Sequence, residues 1–194
     1  MYKRQIIAIV FALIVGWVNP FTALQLLFIN LVNDSVPAIA LGMEKAEPDV
    51  MEKAPRQLNE GIFANGLMRI ILIRGSLIGI AAIVSQYVGQ KTSPEMGVAM
   101  AFTTLILART LQTFAARSNS QNIFKLGFTT NKYVLMAVTF CLALYSLTTL
   151  PFLREIFSIP ASFGWSEWAL AAGLAVIAVI CMEILKSVKG VFEK

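Results

Sequence analysis

Histidine is absent from this chain, and only two cysteines occur among its 194 residues. Without histidine, the chain has no imidazole for acid–base catalysis or for a metal site. Cys141 and Cys181 lie far apart in apolar runs without CxxC spacing, so both are expected to be small packing residues. Charged residues are also scarce, at 14%, while hydrophobic residues make up 57%. Since soluble domains average roughly 25% charged residues, this composition indicates a membrane protein.

Apolar stretches divide the chain and predict an all-α, polytopic membrane helical bundle of about six transmembrane segments. Most of them reach the roughly 20 residues that a helix needs to cross a bilayer. The first is short or truncated, since its helix would cover only about 20 Å of a hydrocarbon core of roughly 30 Å. The predicted spans are 6–18, 21–41, 63–88, 96–115, 133–151 and 165–185, with a cytoplasmic loop at 42–62.

The distribution of lysine and arginine predicts the orientation of this bundle. With a cytoplasmic N-terminus and six alternating spans, thirteen of the 16 basic residues fall on the inner side, and Arg109 falls inside a span. This positive-inside bias predicts a multi-pass protein with both termini in the cytoplasm. It also accounts for the net charge of +5 through contact with membrane lipid, so no nucleic-acid partner is expected. Arg69 and Arg74 lie near the inner end of the third span and are expected to reach the headgroups.

The N-terminus has two interpretations. Met1–Gln5 followed by an apolar run is similar to the charged and apolar regions of a signal peptide. However, no clear small-x-small cleavage site follows, and the next apolar run begins directly after Asn19-Pro20. A short first span, joined to the second by a tight turn, is therefore favoured.

The second apolar stretch contains a polar cluster, Asn30, Asn33 and Asp34, followed by Pro37. A carboxylate inside a membrane span is costly unless it is compensated, so Asp34 is a candidate functional residue. Pro37 lacks the N–H that would bond to the carbonyl of Asn33, so a broken helix is predicted near Asn33–Pro37. The free carbonyl and the side-chain oxygens would suit a hard cation. The alternative is an ordinary proline kink whose amides bond to neighbouring helices.

Arg109 is the second unusual residue, because it lies within the fourth span. If its side chain reaches the inner headgroups, it is one more snorkelling charge. If it faces the bundle, it needs a counter-charge, and Asp34 is the candidate. The residues themselves leave these alternatives open.

Three stretches resemble the P-type cation-transporting ATPases, in the calcium-pump branch. Residues 25–42 read QLLFINLVNDSVPAIALG, which is similar to that family's sixth-span pattern Q-L-L-W-x-N-L-x-T-D-x-x-P-A-x-A-L-G. Residues 47–51, EPDVM, resemble the following cytoplasmic segment, and residues 117–124, RSNSQNIF, resemble the exit of the eighth span. The resemblance covers essentially the whole chain, 1–194, as the C-terminal transmembrane domain from the late fifth to the tenth span.

The resemblance implies cation ligands at Asn30, Asn33 and Asp34, with an amide in place of the family's hydroxyl at Asn33. Ungapped counting puts the eighth-span carboxylate of two-site pumps on Arg109. A guanidinium there would exclude a second divalent ion, which implies a pump with one calcium site and an Arg109 that approaches Asp34. The fifth-span Asn-x-x-Glu ligands fall on Tyr2 and Gln5, and neither residue matches.

The phosphorylation motif D-K-T-G-T, a nucleotide-binding domain and the fourth span do not occur in this sequence. The resemblance therefore implies the transport module of an ATP-driven Ca²⁺ pump, here an inactive fragment that should not hydrolyse ATP alone. Its expected partner is an N-terminal portion with actuator, phosphorylation and nucleotide domains, and ATP and Mg²⁺ are expected only in the full-length pump. The expected location is a bacterial plasma membrane.

At this point more than one transported ion and more than one functional class are compatible with the sequence. Ca²⁺ is expected first and Mn²⁺ next, since related pumps carry it. A self-contained six-segment cation channel or secondary transporter would also suit a broken helix with an acid near the midplane. A truncation product or gene-model artefact is the third alternative.

Overall fold

A computed structural model of the chain describes residues 3–45, 67–118, 121 and 123–187. Within these ranges the chain is helical, with no strand. The π-helical segment Ile29–Asp34 joins the second α-helix to the third. The α-helices are α1 (Lys3–Val15), α2 (Ala23–Phe28), α3 (Ser35–Gly42), α4 (Leu67–Gln90), α5 (Pro94–Ala116), α6 (Ile123–Leu126), α7 (Lys132–Thr148), α8 (Pro151–Arg154) and α9 (Trp165–Ser187).

The apolar helices correspond to the predicted spans. The four that are long and apolar enough to cross a membrane run over Ala23–Gly42, Leu67–Gln90, Pro94–Ala116 and Trp165–Lys186. Shorter apolar helices cover Gln5–Val15 and Lys132–Thr148, so the first span is short as predicted. The all-α membrane bundle is thus confirmed. Of the predicted loop 42–62, residues 46 onward lie outside the described residues.

The second span is irregular without being interrupted. The predicted break near Asn33–Pro37 takes the form of the π-helical segment, which lies directly before α3. Pro37 cannot donate to the carbonyl of Asn33, and a local change of helical pitch is a common way to absorb such a missing bond. The Ser35 hydroxyl donates to the carbonyl of Asn30 at 3.2 Å, which satisfies another backbone oxygen of this segment. The helix therefore continues to Gly42.

Helix α5 is the centre of the bundle. In its most apolar 18-residue stretch 83% of the residues are buried, against 33% in each of the other three long helices. Helices α4, α7 and α9 and the π-helical segment all pack against it. The core around α5 contains Phe102, Leu105, Ile106, Ile29, Ile78, Tyr145 and Met182. Polar side chains placed on α5 are consequently held inside the protein rather than in lipid.

The turn between α4 and α5 brings the two helices very close together. Ser93 caps α5 by accepting a hydrogen bond from the N–H of Met96 at 3.1 Å, and Pro94 follows as the first helical residue. A Cβ added to Gly89 would lie 2.8 Å from the Cα of Gly97. Only glycine permits this approach, which sets the position of α4 against α5.

At the opposite end of α5, Arg117 ties the helix to the end of α3. Its Nε and Nη2 each donate to Glu44 at 2.8 Å, one to each carboxylate oxygen. Its Nη1 donates to the carbonyl of Gly127 at 2.7 Å, and Nη2 also donates to Thr130 at 2.6 Å. Asn131, which caps α7, donates to Glu44 at 2.6 Å. These contacts hold the end of α5, the residue Glu44 after α3 and the start of α7 together.

Candidate functional site

A cavity of about 290 Å³ lies between the second span, α4 and α5. Its charged lining residues are Asp34, Arg74 and Arg109, one from each of these three elements. The remaining lining residues are mostly apolar or hydroxyl- and amide-bearing: Asn33, Pro37, Ala38, Leu41, Leu67, Ile70, Ile71, Gln112, Thr113 and Ala116. The structure therefore brings Asn33, Asp34, Pro37 and Arg109, four of the predicted site residues, to one cavity.

Asp34 and Arg109 form an ion pair inside this cavity. An Arg109 Nη2 atom contacts Asp34 Oδ1, and the two side chains are only 11% and 2% exposed respectively. Arg109 therefore points into the bundle, as the resemblance implied, and does not reach toward headgroups. Each charge compensates the other. Without its partner, either charge would be strongly unfavourable at a position so little exposed to water. The roles of these residues in cation binding stay predictions.

The two predicted amide ligands are engaged by other helices. Asn33 Nδ2 donates to the carbonyl of Ile106 at 3.3 Å, and Asn33 Oδ1 accepts from the Thr110 hydroxyl at 2.9 Å. Asn33 is 2% exposed, so these bonds to α5 satisfy an amide that water cannot reach. Asn30 does not line the cavity, and its Oδ1 accepts from Gln5 at 3.4 Å. The oxygens of Asn30 and Asn33 are thus directed to different neighbours.

Gln5 contacts the predicted ligand Asn30, although the sequence analysis assigned it no role in the site. It lies on α1, is 7% exposed and reaches Asn30 across the interface between the first two spans. Counting by resemblance had placed it where the calcium-pump pattern has its fifth-span Glu. That correspondence was the available signal, since a polar residue in a short apolar helix is otherwise ambiguous. The structure places its amide beside the predicted ligand Asn30.

Arg74 was expected to snorkel, and that expectation is wrong. Its residue is 9% exposed, it lines the cavity, and its guanidinium interacts electrostatically with the carboxylate of Glu183 on α9. Arg69, one and a half turns earlier on α4, is exposed as expected. Burial of Arg74 follows from the rotation of α4, which turns this residue toward α5 and α9. Sequence reasoning did not identify Glu183 because it lies in the last turns of an apolar helix.

Few anionic ligands are present around this cavity. The described part of the chain contains no group of three or more His, Cys, Asp or Glu residues that could hold a metal ion. A Ca²⁺ ion takes about six to eight oxygen ligands, often including several carboxylates. Among the described residues that line the cavity, Asp34 is the only carboxylate, so further ligands would have to come from elsewhere.

The fold and the cavity together define an integral, multi-pass membrane protein with a buried acid–arginine pair between its spans. Residues 18–188 match the family model described as cation transporting ATPase, C-terminus. This match covers most of the chain, and the chain belongs to that family.

Individual relatives are calcium-transporting ATPases by name. The chain is 95% identical over 189 residues to calcium-transporting ATPase 1 of Lactococcus lactis and 70% identical over 189 residues to a calcium-transporting ATPase of Listeria monocytogenes. Each alignment covers 97% of this chain and 22% of the relative. A more distant relative, calcium-transporting ATPase type 2C member 1 of Pongo abelii, is 27% identical over 94% of this chain and 20% of its own length. The chain thus spans about a fifth of the length of these relatives.

Proposed function

We propose that this chain is the membrane transport module of an ATP-driven Ca²⁺ pump and that Asp34 is the carboxylate through which it binds the ion. The observation that supports this most directly is the buried Asp34 carboxylate in a cavity between spans. An ionisable residue at such a position is a functional candidate because the membrane penalises it. Family membership favours this pump over a self-contained channel or secondary transporter.

Arg109 supplies the counter-charge of the cation-free state. While the guanidinium contacts Asp34, the cavity holds no uncompensated carboxylate and attracts a divalent cation weakly. Ca²⁺ binding to Asp34 requires the guanidinium to move away, and the departing charge disfavours a second divalent ion nearby. The arrangement therefore supports a pump with one calcium site, in which Arg109 occupies the place of a second site.

Asn33 and Asn30 are the neutral ligands of this proposal. Asn33 Oδ1 accepts a hydrogen bond from Thr110, and a carbonyl oxygen has two lone pairs, so a second interaction with a cation is chemically open. Asn30 Oδ1 is in the same situation with Gln5 as its donor. The Asn33 oxygen faces α5 and the Asn30 oxygen faces α1, so the two join one coordination shell only if this segment changes its conformation. Pro37 and the irregular helix before it make the segment suited to that movement.

The energy source lies in an N-terminal portion that contains the actuator, phosphorylation and nucleotide domains, joined in one chain or supplied as a separate one. The support is the share of the relatives that this chain matches, 22% for the Lactococcus protein. ATP and Mg²⁺ act in that portion, so residues 1–194 alone should not hydrolyse ATP. We place the assembled pump in a bacterial plasma membrane with both termini of this chain in the cytoplasm, in accordance with the positive-inside bias.

Replacing Asp34 tests the proposal in an assembled pump. This chain would be placed in the matching region of the Lactococcus relative and reconstituted in vesicles with ATP, and radioactive Ca²⁺ uptake would be measured. Asp34→Asn removes the charge and keeps the shape, so we expect at least a tenfold loss of apparent Ca²⁺ affinity. Glu95→Gln is the matched control, because Glu95 is exposed in the first turn of α5.

Each outcome decides between alternatives. Unchanged Ca²⁺ affinity in Asp34→Asn contradicts the assignment of this acid. Uptake of Mn²⁺ in preference to Ca²⁺ would keep the pump and correct the ion. Cation flux through vesicles that contain residues 1–194 alone, without ATP, would support the self-contained channel or secondary transporter instead.

A further inference from the structure

We propose that Thr110 on α5 is a positioning residue for cation binding, because its hydroxyl holds the side-chain oxygen of Asn33 in a fixed direction at the cavity of Asp34. The inference rests on the proposed function, in which Asn33 is a neutral ligand. It adds a residue that does not line the cavity itself. The affinity for the ion then depends on a hydroxyl group that does not bind the ion.

The amide group of Asn33 is held at both ends by α5. Its Nδ2 donates to the carbonyl of Ile106 at 3.3 Å, and its Oδ1 accepts from the Thr110 hydroxyl at 2.9 Å. Ile106 and Thr110 are four residues apart, so they lie on the same face of α5 about one turn from each other. Exchanging the amide's oxygen and nitrogen would bring two acceptors together at the Ile106 carbonyl. These two bonds therefore fix which end of the amide is the oxygen and where that oxygen lies.

The hydroxyl of Thr110 is directed differently from that of Thr103, another buried threonine on α5. A threonine inside a helix can donate to the carbonyl four residues earlier, and Thr103 does so to Ala99 at 2.7 Å. For Thr110 the corresponding carbonyl belongs to Ile106, and this carbonyl accepts from Asn33. The amide of Asn33 is thus inserted between a hydroxyl and a carbonyl of α5 that could otherwise bond to each other. Thr110 consequently serves the second span rather than its own helix.

Water cannot readily take the place of this hydroxyl. Asn33 is 2% exposed and Thr110 is 0% exposed, so the bond between them lies inside the protein. Without the hydroxyl, the Asn33 oxygen would lack this donor, and a buried acceptor without a partner is unfavourable. The side chain would then turn toward another donor. Because Asn33 lines the cavity, its oxygen would no longer be offered to a cation there in a fixed direction.

This bond lies next to the acid–arginine pair. Asn33 and Asp34 are consecutive in the π-helical segment, and their partners Thr110 and Arg109 are consecutive in α5. In the proposed function Arg109 moves away when Ca²⁺ binds, so the charged contact between the two elements is lost at that step. The neutral contact can persist, since Asn33 Oδ1 has a second lone pair for the cation. Thr110 thereby keeps Asn33 on α5 while Asp34 exchanges a guanidinium for Ca²⁺.

Removing the hydroxyl tests this role. In the pump built on the Lactococcus relative, uptake would be measured over a range of Ca²⁺ concentrations for Thr110→Val, which keeps the branched shape, and for Thr110→Ser, which keeps the hydroxyl. Loss of a group that orients a metal ligand typically lowers metal affinity by at least about tenfold, so we expect Thr110→Val to raise the Ca²⁺ concentration for half-maximal uptake about tenfold. The maximal rate should stay within about twofold of the parent, since the chemistry of the pump is unchanged. Thr110→Ser should restore the affinity to within about threefold.

A matched control and a double variant separate positioning from packing. Thr104→Val is the control, because Thr104 is equally buried on α5, donates to Ser85 at 2.7 Å and does not line the cavity. It should leave the Ca²⁺ affinity unchanged. Since Thr110 acts through Asn33, Thr110→Val should cause no further loss of affinity when Asn33→Ala is already present. A residue that only supports packing would lower the maximal rate or the amount of pump, and its effect would add to that of Asn33→Ala.

The outcomes distinguish this inference from the proposed function. An unchanged affinity in Thr110→Val overturns the role of Thr110, and so does a loss that is equally large in the Asn33→Ala background. Asp34→Asn is run in parallel: if it lowers the affinity while Thr110→Val does not, the proposed cation site stands and the inference is wrong. If Asp34→Asn leaves the affinity unchanged, the proposed site is wrong and the inference with it. If Thr110→Val does not reach the membrane, Thr110→Ala replaces it, with the same expected loss and the same contradicting results.

Discussion

Arg117 and Glu44 form a bidentate ion pair, in which Arg117 Nε and Nη2 each lie 2.8 Å from a different carboxylate oxygen of Glu44. The side chain of Arg117 is 2% exposed and that of Glu44 is 17% exposed. This geometry matches the planar fork of arginine to the two oxygens of a carboxylate, which a lysine could not reproduce. The pair joins the end of the second span to the end of α5, and thereby holds the two helices that bear Asp34 and Arg109.

Removing both partners of this pair should destabilise the bundle by less than the sum of the two single removals. Arg117→Gln leaves Glu44 without its main cationic partner, and we expect a loss of about 3 kcal/mol of unfolding free energy. The double variant with Glu44→Gln should lose less than the sum of the two single losses, because no charge is then left alone. Unfolding in mixed micelles measures both. Lys125→Gln, at an exposed position, is the control, and additive losses would contradict a direct coupling.

The same pair predicts a dependence of stability on pH. Hydrogen bonds from Arg117 are the largest influence holding the pKa of Glu44 below its ordinary value of 4.5. The unfolded chain therefore takes up a proton at higher pH than the folded one, so the contribution of Glu44 is complete well above pH 4.5 and is lost as the pH falls below it. The stability difference between the parent and Glu44→Gln should shrink in that range. A difference that stays constant from pH 6 to pH 3 would contradict this.

Gly89 should tolerate no side chain. In Gly89→Ala the new Cβ would lie 2.8 Å from both the Cα of Gly97 and the carbonyl oxygen of Met96, and neither backbone atom can move without shifting a helix. We expect a destabilisation of about 1–3 kcal/mol, measured by unfolding in micelles. Gly173→Ala is the matched control, since nothing lies within 4 Å of its added Cβ and it is also in a long helix. Equal stability of the two variants would show that α4 and α5 can separate at no cost.

Much of the architecture was predictable from local properties. Apolar runs of about 20 residues must satisfy their backbone polar groups internally in a bilayer, so they form helices whatever their neighbours are. The predicted span 96–115 corresponds to α5, which the structure begins two residues earlier, at Pro94. The second span was harder, because the sequence showed that Pro37 removes a hydrogen bond but not how the chain would respond. The response is a π-helical segment, Ile29–Asp34.

The candidate site was predictable in its residue types and only partly in its contacts. Asp34 was identifiable because a buried acid is rare in a span, and the resemblance brought Arg109 to it. The partners Thr110 of Asn33 and Gln5 of Asn30 were not identifiable from the residues alone. Each belongs to another helix and is far away in the chain, so its contact depends on how the helices pack.

Hydrophobic length and charge asymmetry were thus sufficient to predict helices, spans and a membrane location, since the solvent imposes these on each segment separately. The direction in which Arg74 and Arg109 point could not be obtained in that way. Both are arginines in apolar helices and equally suited to snorkel, yet Arg109 pairs with Asp34 and Arg74 interacts with Glu183. The rotation of each helix about its axis decides this, and that rotation is determined by packing among helices distant in the sequence.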